Sequence, residues 1–573
     1  MTPSAQPAGP RALELADVTF TYEGQPRPAL AGISLAVAQG EWLALLGPSG
    51  AGKSTLCRTL NGIIPHLQRG RLSGGVRVLG RDTRQARVPE LARHVGLVFQ
   101  DFESQLFATS VELEAAFAPE NFGLPPVEIH ARVRDALAAV SLDGMERRAP
   151  AGLSGGQKQR LAIAAVLAGA PEVLVLDEAT TDLDPVGKRE VMEVLHTLGS
   201  RRGAAPSTVI LATTDAEEAL LAPRALVLDN GKVIADTSWE RLLADPAELE
   251  SRGVRPPDLP ALFAALSLPE RPATVGEAAH LLERYGLRPD QHRWQDTSSS
   301  EGASPSGEPV IVVRGLGHTY PDGTRALSRV DLELRRGEFV AILGANGSGK
   351  TTLAKHLNRL LEPTEGEVEV AGRPTRAWPR RDLARQVGYV FQNPDHQIFA
   401  DTIAEEVAFG PRNFGLPAQE VSARVREALE AVGLSGRAEE DPFSLTKGER
   451  QRVAVASMLA ARPEVMVFDE PTTGLDYRES RGMMELIAAL HAQGRTVVII
   501  THTMWLVAEY AQRAVLMREG RVITDAPVRA LLGRPQALAS ASLVAPAISQ
   551  LGAALGSPFR TVSEAVRVLR RAL

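Results

Sequence analysis

The sequence predicts an α/β fold built twice in one chain. Three observations carry that prediction. A glycine-rich loop, Gly47-Pro-Ser-Gly50-Ala-Gly52-Lys53-Ser54, recurs as Gly344-Ala-Asn-Gly347-Ser-Gly349-Lys350-Thr351. Each copy is followed, in the same order, by a Phe-Gln pair, a glycine-bearing segment and an apolar run ending in Asp-Glu. Short apolar runs alternate with stretches whose apolar residues fall at helical spacing, the pattern of a mostly parallel sheet covered by helices.

The repeat sets the domain plan. Lys53 and Lys350 stand 297 positions apart, whereas Gln100 and Gln392, Ser154 and Thr446, and Asp177 and Asp469 each stand 292 apart. The constant later offset marks duplicated architecture, and the change places five extra residues of the first copy between Lys53 and Gln100, where a surface loop absorbs them cheaply. Thr274-Val-Gly-Glu-Ala278 matches Thr561-Val-Ser-Glu-Ala565 near the end of each half. The expected plan is a first nucleotide domain over 1–250, a small helical appendage over 251–290, a flexible linker over 291–309, a second domain over 310–536 and its appendage over 537–573. The linker carries Ser298-Ser-Ser300 and Gly302-Ala-Ser-Pro-Ser-Gly307, with a mean reach of roughly 25 Å for its 19 residues. A tether of that kind raises the effective concentration of one half near the other.

Composition excludes several classes. At 573 residues, with 44% hydrophobic and 23% charged residues, the chain is globular and too long for one core. A net charge of −6, from 63 basic and 69 acidic residues, gives no electrostatic footprint for nucleic acid. The one cysteine, Cys57, cannot build a disulfide, zinc or iron–sulfur site within the chain and reads as a small apolar residue. The Pro/Ala-rich start shows no secretory signal, and no apolar run reaches the roughly 18–20 residues of a membrane span. The chain is expected in the cytoplasm, with any membrane work done through another subunit.

Taken in order, Glu41 to Leu46 and Glu338 to Leu343 read as buried strands entering the glycine loops, and Val173 to Leu176 and Val465 to Phe468 as strands of the same kind. Ile129, Val133, Leu137 and Val140, matched by Val421, Val425, Leu429 and Val432, mark a helix in each half. Glycines Gly47, Gly50, Gly52 and Gly344, Gly347, Gly349 let backbone N–H groups turn toward phosphate oxygens, and the following helix adds its positive end, with Thr55 and Thr352 in its first turn. Lys53 and Lys350 reach the β- and γ-phosphates, while Ser54 and Thr351 bind Mg²⁺. Asp177 and Asp469 end apolar strands and can hold Mg²⁺ through water. Glu178 and Glu470 follow at once and, by strand alternation, point elsewhere, placed to orient or deprotonate the attacking water.

Leu153-Ser154-Gly155-Gly156-Gln157, followed by Lys158-Gln-Arg160, resembles the signature of the ATP-binding cassette family, and the resemblance covers nearly the whole chain. It implies two tandem cassettes, each a phosphate-loop domain with a helical subdomain, using ATP and Mg²⁺. Carried over by position, Gln100 and Gln392 resemble glutamines that touch Mg²⁺ and report to a transport partner. Tyr22 and Tyr320 resemble aromatics that stack on adenine, though a core aromatic is an equal reading. Asp184 and Asp476 resemble aspartates that communicate across the dimer, and His502 a γ-phosphate-sensing histidine.

A narrower resemblance rests on Phe391-Gln-Asn-Pro-Asp-His-Gln397-Ile-Phe399 with Glu405-Glu-Val-Ala-Phe409, and on the weaker Phe99-Gln-Asp-Phe-Glu-Ser-Gln105-Leu-Phe107. A second glutamine five residues after the first, then an apolar pair, is similar to the ATPases of energy-coupling factor transporters. That resemblance implies an importer subunit for a vitamin or transition metal at the cytoplasmic face of the membrane. Its partners would be an integral scaffold (T) subunit and a substrate-capturing (S) subunit, with no nucleic acid. An ordinary helical surface, the ATPase of a sugar importer and a soluble tandem cassette acting on ribosomes or DNA are the alternatives.

The copies depart from each other at two places. Thr214 stands where the second half has His502, and the second signature reads Leu445-Thr446-Lys447-Gly448-Glu449. In the family each ATP lies between one cassette's loop and the other's signature, so both departures would fall on the Lys53 site. The expectation is that the Lys350 site turns over and the Lys53 site mainly binds, against neutral drift with both active.

Overall fold

The computed structural model describes residues 9–180, 183, 185–200, 208–299 and 307–571. The chain divides into two units, one of Met1–Ala264 with Asp476–Arg478, the other of Ala265–Leu475 with Glu479–Leu573.

In the first unit the uninterrupted apolar runs become the strands of a central sheet. Its order is Lys232–Ser238, Arg224–Asp229, Trp42–Leu46, Thr208–Thr213, Val173–Asp177, Val95–Val98, parallel except for the antiparallel edge strand Lys232–Ser238. Strands covered on both faces need no alternation, which is why these runs are apolar throughout. One face packs on the helices Val111–Asn121, Pro126–Ala139 and Gly155–Ala168 through Leu137, Leu161 and Leu176. The other packs on the loop helix Lys53–Leu60 and on a second sheet, through Leu43, Leu45 and Leu56.

That second sheet is antiparallel, with strands in the order Leu30–Ala38, Arg11–Tyr22, Gly70–Val78, Arg81–Asp82. It adds to the predicted α/β plan an element that periodicity alone did not single out. It also corrects the reading of the five-residue insertion as a loop. The first copy has the turn Ile63–His66 and a nine-residue strand, Gly70–Val78, where the second has the six-residue strand Glu365–Val370.

The second unit repeats the architecture. Its central sheet runs Val387–Val390, Val465–Asp469, Thr496–Ile500, Phe339–Leu343, Arg513–Arg518, Arg521–Pro527, with Arg325–Arg335, Pro309–Thr319, Glu365–Val370 and Arg373–Pro374 forming the antiparallel sheet. The predicted helix pair appears as Pro126–Ala139 and Ala418–Ala431, with Val140 and Val432 as C-caps.

The appendages depart from the plan. The helix Asp258–Ala265 stays essentially with the first unit, but the chain from Ala265 onward belongs to the second. There the helix Val275–Arg284 packs against Ala547–Ala554, and Leu287–Pro289 pairs antiparallel with Leu569–Arg571. The matched Thr274 and Thr561 are helix N-caps, accepting from the Glu277 and Glu564 N–H groups at 3.3 and 3.1 Å. The predicted flexible linker begins with a helix, Gln291–Ser299, whose Trp294 ring lies 4.7 Å from the Arg529 guanidinium and meets Phe559 edge-on. Polar composition suggested a tether, and that aromatic anchor overrides it. Residues 300–306 of the same segment lie outside the described residues.

Candidate functional site

Each glycine loop leaves a buried strand and enters a helix, so its ends are fixed before its middle is considered. A Cβ at Gly47 would lie 2.2 Å from the Leu228 carbonyl oxygen, and one at Gly344 2.4 Å from that of Met517. Only glycine permits so close a backbone approach. Lys53 is buried, with Nζ donating to the Gly47 and Pro48 carbonyls at 2.9 Å each, and Lys350 donates to Gly344 and Ala345 at 2.8 Å each. Both ammonium groups therefore sit inside their loops. Tyr22 and Tyr320 bond by hydroxyl to Thr55 and Thr352 at 3.0 and 3.1 Å, tying the antiparallel sheet to the first turn of the loop helix.

The acidic pairs converge on these cradles. Ser54 Oγ donates to Asp177 Oδ1 at 2.9 Å, and Thr351 Oγ1 to Asp469 Oδ1 at 3.1 Å. Burial pushes the Asp177 carboxyl up to about 6, opposed by the Ser54 bond and helped by the Glu178 charge. Burial raises Asp469 too, against the hydrogen bonds of Tyr389 and Thr351. Glu178 and Glu470 lie just past the strand ends in the left-handed region, at φ of 50° and 48°. That backbone, and not the predicted strand alternation, separates their direction from that of the aspartates. A non-glycine residue held there costs of order 1–3 kcal/mol, a cost that recurs at functional sites.

The two glutamates have different partners. Glu178 Oε1 pairs with Lys53 Nζ at 2.9 Å, and its Oε2 accepts from Gln100 Nε2 at 3.2 Å. Glu470 Oε1 lies 2.9 Å from His502 Nδ1, and Thr473 Oγ1 donates to its Oε2 at 3.4 Å. Thr214 brings no imidazole to the first site. Beside it Lys188 pairs with Asp215 and, at 2.8 Å, with Glu218, a charged cluster that the sequence reading missed. Gln392 is exposed after the strand Val387–Val390, as Gln100 is after Val95–Val98. Asp476 is buried and groups with the first unit, while Asp184 lies outside the described residues.

The signatures open helices with the same cap. Ser154 Oγ accepts from the Gln157 N–H at 3.3 Å and Gln157 Oε1 from the Ser154 N–H at 3.0 Å; Thr446 and Glu449 make the same reciprocal pair at 3.3 and 2.9 Å. Two of the three departures in the second signature thus keep the local geometry. A Cβ at Gly155 would meet nothing closer than Leu183 Cδ2 at 4.0 Å, so Lys447 is accommodated at the corresponding place. A Cβ at Gly156 would lie 2.9 Å from the Gly187 Cα, and one at Gly448 2.7 Å from Glu479 Oε1.

The profile of the ABC transporter family matches residues 30–181 and 327–473, one cassette in each half. The chain belongs to the ABC transporter family. A protein of Caldanaerobacter subterraneus subsp. tengcongensis named as an ABC transporter ATP-binding protein is 46% identical over 561 residues, 97% of this chain and 98% of that protein. One of Methanosarcina mazei with the same description is 40% identical, covering 93% of this chain and 92% of its own. Among solved structures, cbiO1 from Clostridium perfringens, described as part of the ABC transporter complex cbiONQ, aligns at 33% identity and a TM-score of 0.38, covering 41% of this chain and 94% of its own.

As an ABC protein the chain carries two ATP-binding domains of a family that binds ATP with Mg²⁺ and hydrolyses it. The residues fit that pair of ligands: loops whose close-packed glycines expose backbone N–H groups, an ammonium inside each, and a hydroxyl–carboxylate oxygen pair suited to a hard divalent cation. Bound Mg²⁺ would neutralise charge developing on the phosphates. No helix among the described residues is long and apolar enough to cross a membrane.

The helical subdomains present a matched surface. Gln105 turns inward, its Oε1 accepting from the Phe99 N–H and its Nε2 donating to the Leu97 carbonyl, both at 3.0 Å. Gln397 does the same with the Phe391 N–H and the Ala454 carbonyl at 3.3 and 3.2 Å. Buried Glu114 accepts from the Phe107 and Ala108 N–H groups, and buried Glu406 from those of Phe399 and Ala400. What remains outside is an edge-to-face aromatic pair, Phe107–Phe117 and Phe399–Phe409, with centroids 4.7 Å apart in both halves. The motif reading reached the glutamines, Phe107, Phe399, Glu406 and Phe409, but missed Glu114 and Phe117. A glutamate seven residues after each phenylalanine, and four after an N-cap Ser or Thr, was the available signal.

Proposed function

We propose that the chain is the ATP-hydrolysing energy-coupling subunit of an energy-coupling factor importer for a vitamin or transition metal. It works at the cytoplasmic face of the membrane on an integral scaffold subunit, which carries a substrate-capturing subunit. The supporting observation is the exposed aromatic pair. Phe107 and Phe399 are 63% and 59% exposed, each held at its N–H by a buried glutamate of the following helix and preceded by an inward glutamine on the short segment that starts at the Phe-Gln pair. Exposed aromatics on a fixed scaffold mark an interaction site, and their apolar faces suit a helix of a membrane subunit. Because Gln100 and Gln392 begin that segment, movement of the docked subunit and the state of the nucleotide site share one piece of backbone.

In this reading Glu470, oriented by His502, acts on the attacking water in the second half. Glu178, engaged by Lys53 and Gln100, serves a half that mainly binds ATP. The test of the assignment is purification of the tagged chain from membranes of its own host, with the bound proteins identified by mass spectrometry. The expected result is one integral scaffold protein, lost when Phe107→Ser and Phe399→Ser are combined while nucleotide binding persists. Recovery of sugar-type permeases, or of ribosomes in a salt-sensitive fraction, would overturn it.

A further inference from the structure

Tyr389 belongs to none of the motifs singled out in the sequence, yet its hydroxyl donates to Asp469 Oδ2 at 2.7 Å in a buried position. The other oxygen, Oδ1, accepts from Thr351. The Asp469 carboxylate is thus held at both oxygens, from the neighbouring strand and from the loop helix. Tyr389 pairs with Val467 across the parallel ladder, and its ring is fixed edge-on by Phe391 at 5.1 Å. In the first half the same ladder position, opposite Val175, is Leu97, which has no donor to offer Asp177. The difference between the halves therefore reaches the metal-binding carboxylate itself.

We propose that Tyr389 is a positioning residue that pre-orients Asp469 for the divalent cation, giving the second half a tighter hold on metal–nucleotide than the first. The inference rests on Asp469 being a cation ligand. A carboxylate already fixed at both oxygens loses less rotational freedom on binding than one fixed at a single oxygen, and removing such a supporting partner typically weakens metal affinity about 10- to 100-fold.

The test uses the full chain with Mn²⁺ as the probe, followed by electron paramagnetic resonance in the presence of a non-hydrolysable ATP analogue. Lys53→Ala restricts the signal to the second half, and Lys350→Ala to the first. Tyr389→Phe is expected to weaken Mn²⁺ about tenfold at the second half while leaving nucleotide binding in excess chelator unchanged. Leu97→Tyr is expected to tighten Mn²⁺ at the first half. Should Tyr389→Phe fail to fold, Tyr389→Leu, which reproduces the side chain of the first half, and Leu97→Tyr carry the test. An Mn²⁺ affinity within twofold of the parent, or an equal loss of metal-free nucleotide binding, overturns the proposal. If Asp469→Asn also leaves Mn²⁺ binding unchanged, the assignment of Asp469 falls, and that failure is distinct from a failure of Tyr389 alone.

Discussion

Glu178 and Glu470 share one left-handed backbone niche and answer to different neighbours. Glu178 faces the cradle lysine and Glu470 faces His502. Glu470→Gln is therefore expected to cut the ATPase rate of the assembled transporter about a hundredfold, the effect of roughly 3 kcal/mol of lost barrier lowering, whereas Glu178→Gln costs less than threefold. Equal losses would remove the asymmetry. Asp177 supplies a second test. With its carboxyl raised to about 6, lowering the pH from 7 to 5 protonates it, and cation affinity at the first half falls about tenfold, measurable by Mn²⁺ titration. For the metal-free fold the sign reverses. The native state holds that proton more tightly than the unfolded chain, so Asp177 adds stability as the pH falls through 6 toward roughly 4. At this scale the loops and the carboxylates could be singled out from residue type and spacing, and His502 only through the family resemblance. Tyr389 and Lys188 could not, because a lone tyrosine or lysine has no spacing to betray it.

Among the elements, the signature helices show which parts of a motif are steric and which are chemical. Gly156 faces backbone at 2.9 Å, whereas Gly155 faces open space apart from one leucine methyl at 4.0 Å. Gly155→Ala should leave the melting temperature within about a degree, while Gly156→Ala should cost about 1–3 kcal/mol by overpacking, read by thermal denaturation. Ser154→Ala should cost about 1 kcal/mol through loss of the cap. The parallel strands and paired helices were readable from apolar runs and helical spacing. The antiparallel sheet was not, because strands such as Arg11–Tyr22 and Gly70–Val78 are half exposed and interrupted by glycines and register shifts. The insertion was placed in the right interval but in the wrong kind of structure, since offsets locate extra residues without saying whether they extend a strand.

For the molecule as a whole, the duplicated cassettes followed from the repeat, but the fate of the first appendage did not. Repeat symmetry suggested that each appendage belongs to its own half, whereas residues from Ala265 on join the second unit. Tertiary pairing decides this, and the three-residue strand Leu287–Pro289 is too short to announce its partner. Ending the chain at Val568 removes that partner. Trp294, packed between Arg529 and Phe559, should then show red-shifted emission, and trypsin should cut faster at Arg288 and Arg293; unchanged spectra and cleavage would contradict the packing.

The same pairing sets a schedule for the ribosome. Pro289 leaves the exit tunnel 280 residues ahead of Leu569, the residue opposite it in the ladder. At about 5–20 residues per second that interval lasts on the order of 15–60 s. Throughout it the first cassette can fold, while the segment that follows must wait for the rest of the chain to be made. Its apolar helix face stays open to chaperones until Ala547–Ala554 and Leu569–Arg571 have emerged.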